Sequence, residues 1–229
     1  MFTSVIIPAA GFGERMGATI GKQFLLLQDK PILVHTLERF QQSGDIDEII
    51  VATQASSFGI IDGFREQYGL TKLRPPVEGG ARRQDSIARA LEHLHADAEI
   101  VLVHDAVRPF VHLREISQSI DTARHFGASI VAVRAKDTMK LASTDGRVER
   151  TLNRSSLWSV QTPQTFRRRI IMDAYAHAAT HDIAATDDSF LAEQIGILPI
   201  IVEGSYENIK ITTPDDLLLA ELLSKRFIP

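Results

Sequence analysis

VIIPAAGFGERMGATIGK, residues 5–22, is the stretch of this chain that predicts its fold. Its first three residues are apolar, and Pro8 then interrupts the run. Gly11, Gly13 and Gly17 follow. A buried strand that runs into a glycine-rich loop brings backbone N–H groups close to a phosphate. Two cations in the same stretch, Arg15 and Lys22, suit a polyphosphate, so the stretch predicts a nucleotide-binding loop.

The spacing of these glycines argues against two better-known nucleotide loops. The dinucleotide fingerprint is G-x-G-x-x-G, whereas this loop has one more residue before its third glycine. A P-loop places Ser or Thr directly after Gly-Lys, and here Gln23 follows Lys22. A dinucleotide-dependent reductase is therefore disfavoured. A plain strand and turn with surface cations is the alternative that stays open.

Length and composition predict one globular domain over residues 1–229. With 44% hydrophobic residues the chain can form a full α/β core, and its net charge of −4 without a basic block argues against a nucleic-acid partner. No apolar run approaches the roughly 18 residues that span a bilayer, and because a strand is predicted directly at the start of the sequence, we expect no signal peptide. The chain has no cysteine, which excludes disulfides and thiol catalysis. We expect a cytoplasmic protein without a membrane partner.

Apolar runs alternate with helical patterns along most of the chain. Helices are predicted near residues 32–42, 57–68, 87–94, 113–125 and 167–179, with a last one after Thr213. Strands are predicted near residues 49–52, 100–103, 130–133, 198–203 and 207–211. Short apolar strands separated by helices are typical of a mostly parallel sheet covered on both faces. The predicted fold class is α/β, a Rossmann-like domain of three layers.

Residues 137–157 interrupt this alternation. Asp145-Gly146 lies between two strand-like runs, and an Asp-Gly pair in that position is a hairpin signal. A hairpin inserted into an α/β pattern is expected to project as a β-arm, whose apolar residues then need a partner surface. A hairpin folded flat on its own sheet is the alternative.

The predicted strand at residues 100–103 is followed directly by a polar segment, His104-Asp105-Ala106-Val107-Arg108-Pro109. Ligands of parallel sheets gather outside the carboxyl ends of the strands. A single carboxylate at such a place can hold Mg²⁺ together with phosphate oxygens. Asp105 is therefore a candidate metal ligand, with capping of the next turn as the alternative, and His104 is expected to be structural.

A second glycine turn precedes the helix predicted near residues 87–94, and it reads Glu78-Gly79-Gly80-Ala81-Arg82-Arg83-Gln84-Asp85-Ser86. Paired glycines let backbone groups approach a planar base, and a helix N-terminus favours anions. The turn is a second candidate contact with a nucleotide. The alternative is that its two arginines are ordinary solvated surface residues, as arginine pairs usually are.

Seven motifs in order resemble those of the polyol-phosphate cytidylyltransferases. The opening Pro8-Ala9-Ala10-Gly11-Phe12-Gly13-Glu14-Arg15-Met16-Gly17, with Lys22-Gln23-Phe24, is similar to the family's PAAGxGxRMG…K. Further matches are GG-x-x-R-x-x-S at 79–86, HDA-x-RP at 104–109, DTMK at 137–140, TPQ-x-F at 162–166, TD-D/E at 186–188, with Ser189 next, and N-I-K-x-T at 208–212. Asn153-Arg154 departs from the family's Asp-Arg in its first residue only.

The resemblance implies a nucleotidyltransferase that uses CTP and Mg²⁺. The expected reaction transfers a cytidylyl group to 2-C-methyl-D-erythritol 4-phosphate in the non-mevalonate route to isoprenoids. Ribitol 5-phosphate is an alternative acceptor, and a nucleotide-binding regulatory protein without catalysis is an alternative from another class. The resemblance also implies a homodimer in which the β-arm reaches over the neighbouring subunit, with Arg108, Thr138 and Arg154 acting across the interface.

The same resemblance assigns roles to individual residues. The implied catalytic residues are Arg15, Lys22, Arg154 and Lys210. The implied nucleotide-binding residues are Pro8, Ala9, Ala10, Gly11, Gly13, Gly80, Arg83 and Ser86. The implied acceptor-binding residues are Arg108, Thr138, Thr162 and Thr186, and the implied metal ligand is Asp105.

Overall fold

The computed structural model describes residues 1–11 and 21–227 of the chain. The strands are β1 (Phe2–Pro8), β2 (Leu26–Leu27), β3 (Lys30–Pro31), β4 (Glu48–Thr53), β5 (Val77–Glu78), β6 (Ala98–Val103), β7 (Ala128–Arg134), β8 (Lys140–Ala142), β9 (Val148–Thr151), β10 (Trp158–Arg167) and β11 (Ile200–Glu203). The helices are α1 (Ile32–Gln42), α2 (Phe58–Gln67), α3 (Arg83–Leu91), α4 (Leu113–Phe126), α5 (Arg168–Thr180), α6 (Asp188–Gln194) and α7 (Pro214–Phe227). Within these two ranges, no helix combines the length and apolar character needed to cross a membrane.

Seven strands form one mixed, mostly parallel sheet in the order β11-β7-β10-β6-β1-β4-β5. β1 pairs in parallel with both β4 and β6, and β11 pairs in parallel with β7. β10 lies between β6 and β7 and runs antiparallel to both of them. The parallel strands therefore point their carboxyl ends to one edge, where the polar segments of the sequence follow them.

Helices cover both faces of the sheet, because successive apolar side chains of a strand point to opposite sides. Val5 and Ile7 of β1 belong to a buried cluster with residues of α1, α2 and α4. Ile6 belongs to a second cluster, which contains residues of α3, α5 and α6. The predicted three-layer α/β architecture is confirmed.

The interruption at residues 137–157 forms a separate two-stranded sheet, in which β8 and β9 pair antiparallel. Gly146 adopts a φ of +84° at the turn, a conformation that glycine tolerates without a steric cost. Both strands are exposed along their whole length. The predicted hairpin is confirmed, and it does not join the seven-stranded sheet.

Two sequence predictions of secondary structure differ from the structure. Residues 207–211 were expected to form a strand, but they form a loop outside the named strands. The loop is tied down by the buried Asn208 amide, which donates to the Thr162 carbonyl, and by the backbone N–H of Ile211, which donates to Val107. The helix predicted to reach residue 94 ends at Leu91. β10 and α6 were not predicted.

Candidate active site

A cavity lies at the carboxyl ends of β1 and β6. It is lined by Pro8, Ala9, Ala10, Gly11, Lys22, Gln23, Gly80, Ala81, Arg82, Arg83, Ser86, Asp105, Ala106, Val107 and Lys210. Most residues assigned to the nucleotide from the sequence are therefore brought together. Gly13 and Arg15, which belong to the same prediction, lie outside the described residues.

The backbone of the first loop is held in place by buried side chains. The Gln23 side-chain amide donates to the Ala9 carbonyl over 2.7 Å, and Thr53 donates to the same oxygen over 3.2 Å. The amide of Gln54 donates to the Ala10 carbonyl. The Ala9 carbonyl thus accepts two side-chain bonds and the Ala10 carbonyl accepts one, so the loop backbone is fixed in place. Gln23 is therefore a functional candidate, and its position directly after Lys22 in the motif is the only sign of this in the sequence.

The second glycine turn packs tightly against the first loop. A Cβ on Gly79 would lie 2.6 Å from the Cβ of Ala10, and a Cβ on Gly80 would lie 2.3 Å from the Cβ of Asp85. The Ser86 hydroxyl accepts from the Gly80 N–H over 3.0 Å and is itself buried. Glycine at position 79 therefore lets the two loops pack together, and glycine at position 80 lets the turn close on the first turn of α3.

A second cavity adjoins the first on the side of β10. It is lined by Arg83, Asp105, Arg108, Val160, Gln161, Thr162, Gln164, Thr186, Asp187 and Lys210. Three of the acceptor-binding predictions, Arg108, Thr162 and Thr186, lie here. Arg108 thus lines a cavity of its own chain, whereas the resemblance implied that it acts across the dimer interface. Arg83, Asp105 and Lys210 line both cavities, so a ligand in each would meet at these three side chains.

The Asp105 carboxylate is the centre of a cluster of cations. Its Oδ1 lies 3.3 Å from Nε of Arg83, and its Oδ2 lies 3.2 Å from Nε of Arg108 and 3.0 Å from Nζ of Lys210. Burial alone would raise the pKa of Asp105, but the charges of Arg83, Lys210 and Arg108 outweigh it and hold the pKa well below the usual range. Asp105 is therefore ionised at neutral pH.

Lys210 reaches this cluster because the loop that carries it is anchored on both sides. Asn208 donates its amide to the Thr162 carbonyl over 2.9 Å, and the Asn208 carbonyl accepts from Arg108 over 2.7 Å. On the other side, the N–H of Ile211 bonds to Val107 over 3.0 Å. The sequence motif N-I-K-x-T therefore positions a lysine rather than forming a strand.

His104 is a structural residue, as predicted, and it also orients Thr162. Burial lowers the pKa of His104 to about 4, so the ring is neutral. Its Nε2 lies 3.0 Å from the Arg108 carbonyl, which only accepts, so Nε2 carries the proton. Nδ1 then accepts from the Thr162 hydroxyl over 3.1 Å, and that hydroxyl accepts from the Asp105 N–H over 3.0 Å. The Thr162 proton is thus directed to His104 and away from the cavity.

Arg83 also contacts a carboxylate that the sequence analysis did not single out as functional. Its Nη2 lies 2.9 Å from Oδ2 of Asp188, and Oδ1 of Asp188 accepts from the Tyr175 hydroxyl over 2.5 Å. Gln164 accepts from the N–H of Asp188 and fixes the start of α6 beside β10. The acidic third position of the motif TD-D/E was the signal for Asp188, whereas nothing in the sequence pointed to Tyr175.

Two predicted site residues lie on or next to the β-arm and do not line either cavity of their own chain. Thr138 is exposed, and Arg154 is exposed and donates to the Lys136 carbonyl over 2.5 Å. Within the described residues, the chain therefore assembles the Asp105 cluster without these two side chains.

The residues around Asp105 could hold a magnesium ion only if phosphate oxygens supplied further ligands. Residues 1–11 and 21–227 contain no group of three or more His, Cys, Asp or Glu side chains arranged for a metal. Asp105 is ionised and lines both cavities, so it suits the mode in which one carboxylate and phosphate oxygens share the ion. Because Oδ2 already accepts from two cations, a metal at that oxygen must displace one of them.

Comparisons with known proteins identify the family of this chain. The model of the IspD family, described as 2-C-methyl-D-erythritol 4-phosphate cytidylyltransferase, matches residues 3–226. Curated proteins of that name from Syntrophus aciditrophicus (strain SB) and Alkaliphilus oremlandii (strain OhILAs) are 47% and 44% identical, over 96% and 97% of this chain and 95% of each relative.

Solved structures extend the likeness to the fold. The 4-diphosphocytidyl-2C-methyl-D-erythritol synthase from Anaerococcus prevotii is similar with a TM-score of 0.88 at 33% identity, and the alignment covers 98% of this chain and 96% of that one. The 2-C-methyl-D-erythritol 4-phosphate cytidylyltransferase from Thermus thermophilus is similar with a TM-score of 0.80 at 33% identity, covering 98% and 100%. Since the match extends over nearly the whole chain in sequence and in structure, the protein belongs to the 2-C-methyl-D-erythritol 4-phosphate cytidylyltransferase family.

Proposed function

We propose that this enzyme transfers the cytidylyl group of CTP to 2-C-methyl-D-erythritol 4-phosphate and releases pyrophosphate. The observation that carries the proposal is the pair of adjoining cavities that share Arg83, Asp105 and Lys210. CTP would occupy the cavity formed by the two glycine loops, and the acceptor would occupy the cavity beside β10. The two reacting groups would then meet at the shared side chains, as a transfer between them requires.

The proposed step is an in-line displacement at the α-phosphorus of CTP. An oxygen of the acceptor phosphate forms the new bond to phosphorus, and the bond from phosphorus to the bridging oxygen of pyrophosphate breaks. The phosphate monoester is already anionic near neutral pH, so the nucleophile needs no strong general base. Catalysis then consists of positioning and of stabilising the charge that develops on the phosphoryl oxygens.

Three cations of the described chain suit these tasks. Lys22 lines only the first of the two cavities, and we assign it to the α-phosphate and the leaving pyrophosphate. Lys210 lines both cavities and would hold the acceptor phosphate against the nucleotide. Arg108 lines the second cavity and would bind the acceptor. Arg15 is proposed to act with Lys22, on the strength of the sequence motif alone.

Magnesium belongs to the proposal as a cofactor held by Asp105. When bound, it would supply charge neutralisation on the triphosphate oxygens. Asp105 would serve as its single protein carboxylate, because the described residues provide no larger cluster of metal ligands. The three surrounding cations keep Asp105 ionised and therefore able to bind a metal at neutral pH.

We further propose a homodimer formed through the β-arm. Met139 is 45% exposed and Val148 is 60% exposed, and apolar side chains on a projecting hairpin are stabilised by burial against a partner. A second copy of the chain would supply that surface, with Thr138 and Arg154 reaching its acceptor cavity. A cytoplasmic location, which the lack of cysteine accommodates, stays a prediction.

Pyrophosphate release tests the reaction directly. The enzyme is mixed with CTP and Mg²⁺, with either 2-C-methyl-D-erythritol 4-phosphate or ribitol 5-phosphate as acceptor, and each product is identified by mass. We expect faster turnover with the methylerythritol phosphate. Faster turnover with ribitol 5-phosphate would contradict the proposed acceptor, and CTP binding without turnover on either acceptor would contradict catalysis.

A further inference from the structure

A buried phenol–carboxylate pair lies behind the active-site cations and has no part in the mechanism above. Tyr175 of α5 is 8% exposed and Asp188 of α6 is 2% exposed, and neither lines either active-site cavity. The Tyr175 hydroxyl donates to Oδ1 of Asp188 over 2.5 Å. Burying a carboxylate costs free energy unless the group is paired with a positive charge or a donor. The role of the pair therefore depends on the partner of the second Asp188 oxygen.

That partner is Arg83, which bridges the pair to the reaction centre. Nη2 of Arg83 lies 2.9 Å from Oδ2 of Asp188, while Nε of the same guanidinium lies 3.3 Å from Oδ1 of Asp105. The planar guanidinium fixes the direction between its nitrogens, so a contact at one end determines where the other end points. The four side chains form a continuous chain from the interior of α5 to the wall of both cavities.

We propose that Tyr175 and Asp188 are positioning residues, which hold Arg83 at the angle that places the Asp105 carboxylate between Lys210 and Arg108. They touch no substrate themselves. They act on the reaction because Asp105 contacts the two cations that would bind the acceptor phosphate. The proposal rests on the function proposed above, since it assigns these residues to that same site.

The charges of the four residues support this role. Burial raises the pKa of Tyr175, and the neighbouring carboxylate of Asp188 raises it further, so the phenol stays protonated and remains a donor. Burial would lower the pKa of Arg83, but Asp188 and Asp105 outweigh it and raise the pKa, so the guanidinium stays charged. Without Asp188, Arg83 would have Asp105 as its remaining carboxylate partner in the described cluster and would compete there with Lys210.

The start of α6 is built to hold Asp188 in this position. Gln164 of β10 accepts from the N–H groups of Asp188 and Ser189 over 3.0 and 2.8 Å. The side chain of Asp187 caps the helix by accepting from the N–H of Phe190 over 2.9 Å. The strand that lines the acceptor cavity therefore also fixes the carboxylate that orients Arg83.

The experiment compares Asp188→Asn, Asp188→Glu and Tyr175→Phe with wild type. For Asp188→Asn we expect kcat to fall between about 10-fold and 100-fold, the range that follows a displacement of a catalytic group by up to about 1 Å. KM for CTP and the CTP Kd from calorimetry should change less than about threefold. Tyr175→Phe should lower kcat less than Asp188→Asn, and Asp188→Glu should also lower it less than Asp188→Asn because it keeps the charge that pairs with Arg83.

Glu48→Gln is the matched structural control. Glu48 is a buried carboxylate at the amino end of β4, and it accepts from the Ser4 hydroxyl over 2.6 Å. It lies at the opposite end of the strand from the active-site loops and does not line either cavity. Glu48→Gln should lower Tm without lowering kcat at a temperature well below Tm. A purely structural role of Asp188 predicts the same behaviour for Asp188→Asn, and that result would overturn the proposal.

Two further measurements test the proposal if Asp188→Asn does not fold or if the wild type has no activity. If Asp188→Asn fails to fold, an unchanged kcat of Tyr175→Phe refutes the proposal. A crystal structure of either variant reports the separation of Lys210 Nζ from Asp105 Oδ2, which is 3.0 Å in wild type. An unchanged separation refutes the positioning role even if the wild type has no cytidylyltransferase activity. If the wild type is active and the variants have the same kcat as wild type, the positioning proposal is refuted while the proposed function stands.

Discussion

Mixed dimers of two inactive variants test whether the β-arm serves the partner's active site. Lys22→Ala removes a cation that lines the first cavity, and Arg154→Ala removes one that lies beside the β-arm outside both cavities. Each variant alone should lose about 10²–10³ in kcat, the usual cost of one contact to a developing charge. Each homodimer is therefore expected to be nearly inactive.

The expected recovery follows from where the two residues lie. In a mixed dimer, the Arg154→Ala subunit keeps its own Lys22 and receives an intact Arg154 from its partner, so one site is complete. The other site lacks both residues. Random exchange makes about half of the dimers mixed, so about a quarter of wild-type activity should return.

Lys22→Ala mixed with Lys210→Ala is the matched control. Both residues line the same cavity of the same chain, so every site in that mixture lacks one of them and no activity should return. The assay is pyrophosphate release after subunit exchange, with the exchange measured by native mass spectrometry. Exchange without recovery in the Lys22 and Arg154 mixture would refute action of Arg154 across the dimer.

Three further predictions concern single residues. Lys22→Ala and Arg15→Ala should lower kcat by about 10²–10³ with a smaller effect on CTP binding, and a change confined to KM for CTP would contradict their assignment to the transition state. Thr162→Val leaves two buried partners of the hydroxyl, His104 Nδ1 and the Asp105 N–H, without a bond, and each should cost about 1–3 kcal/mol in unfolding free energy. Thr162→Ser keeps the hydroxyl and should be close to wild type in urea denaturation. Burial lowers the pKa of His35, whose Nε2 donates to the Leu27 carbonyl. As the pH falls, the unfolded chain therefore takes up a proton at this residue before the folded chain does. The free energy of unfolding should then decrease as the pH drops below about 6.5. His35→Gln should have a flatter pH dependence of the unfolding free energy, and equal slopes for the two proteins would contradict this reasoning.

The strands that were predicted from the sequence are those with continuous apolar runs. β1, β4, β6 and β7 are buried on both faces, so composition alone identified them. β10 escaped prediction because its buried stretch is largely polar. Gln161, Thr162, Gln164 and Thr165 are all buried there, and their side chains are satisfied by partners distant in the sequence.

The candidate site was predictable where one short segment carries both the backbone turn and the polar side chain. Asp105 is of this kind, because it closely follows the end of β6. Tyr175 was not predictable, since a buried aromatic residue on an amphipathic helix has the same pattern as any core residue. Its contact with Asp188 exists only because α5 and α6 pack together in the folded chain.

The position of β10 in the sheet has a consequence for the order of events during synthesis. β6 and β7 precede β10 in the chain, yet neither pairs with the other, and each pairs with β10 instead. In a nascent chain that ends before residue 158, one edge of β6 is therefore unpaired, and β7 has neither of its two neighbours, β10 and β11. Because those edges template aggregation, we expect truncations within the β-arm to precipitate, while native assembly closes the sheet only when this late strand is inserted.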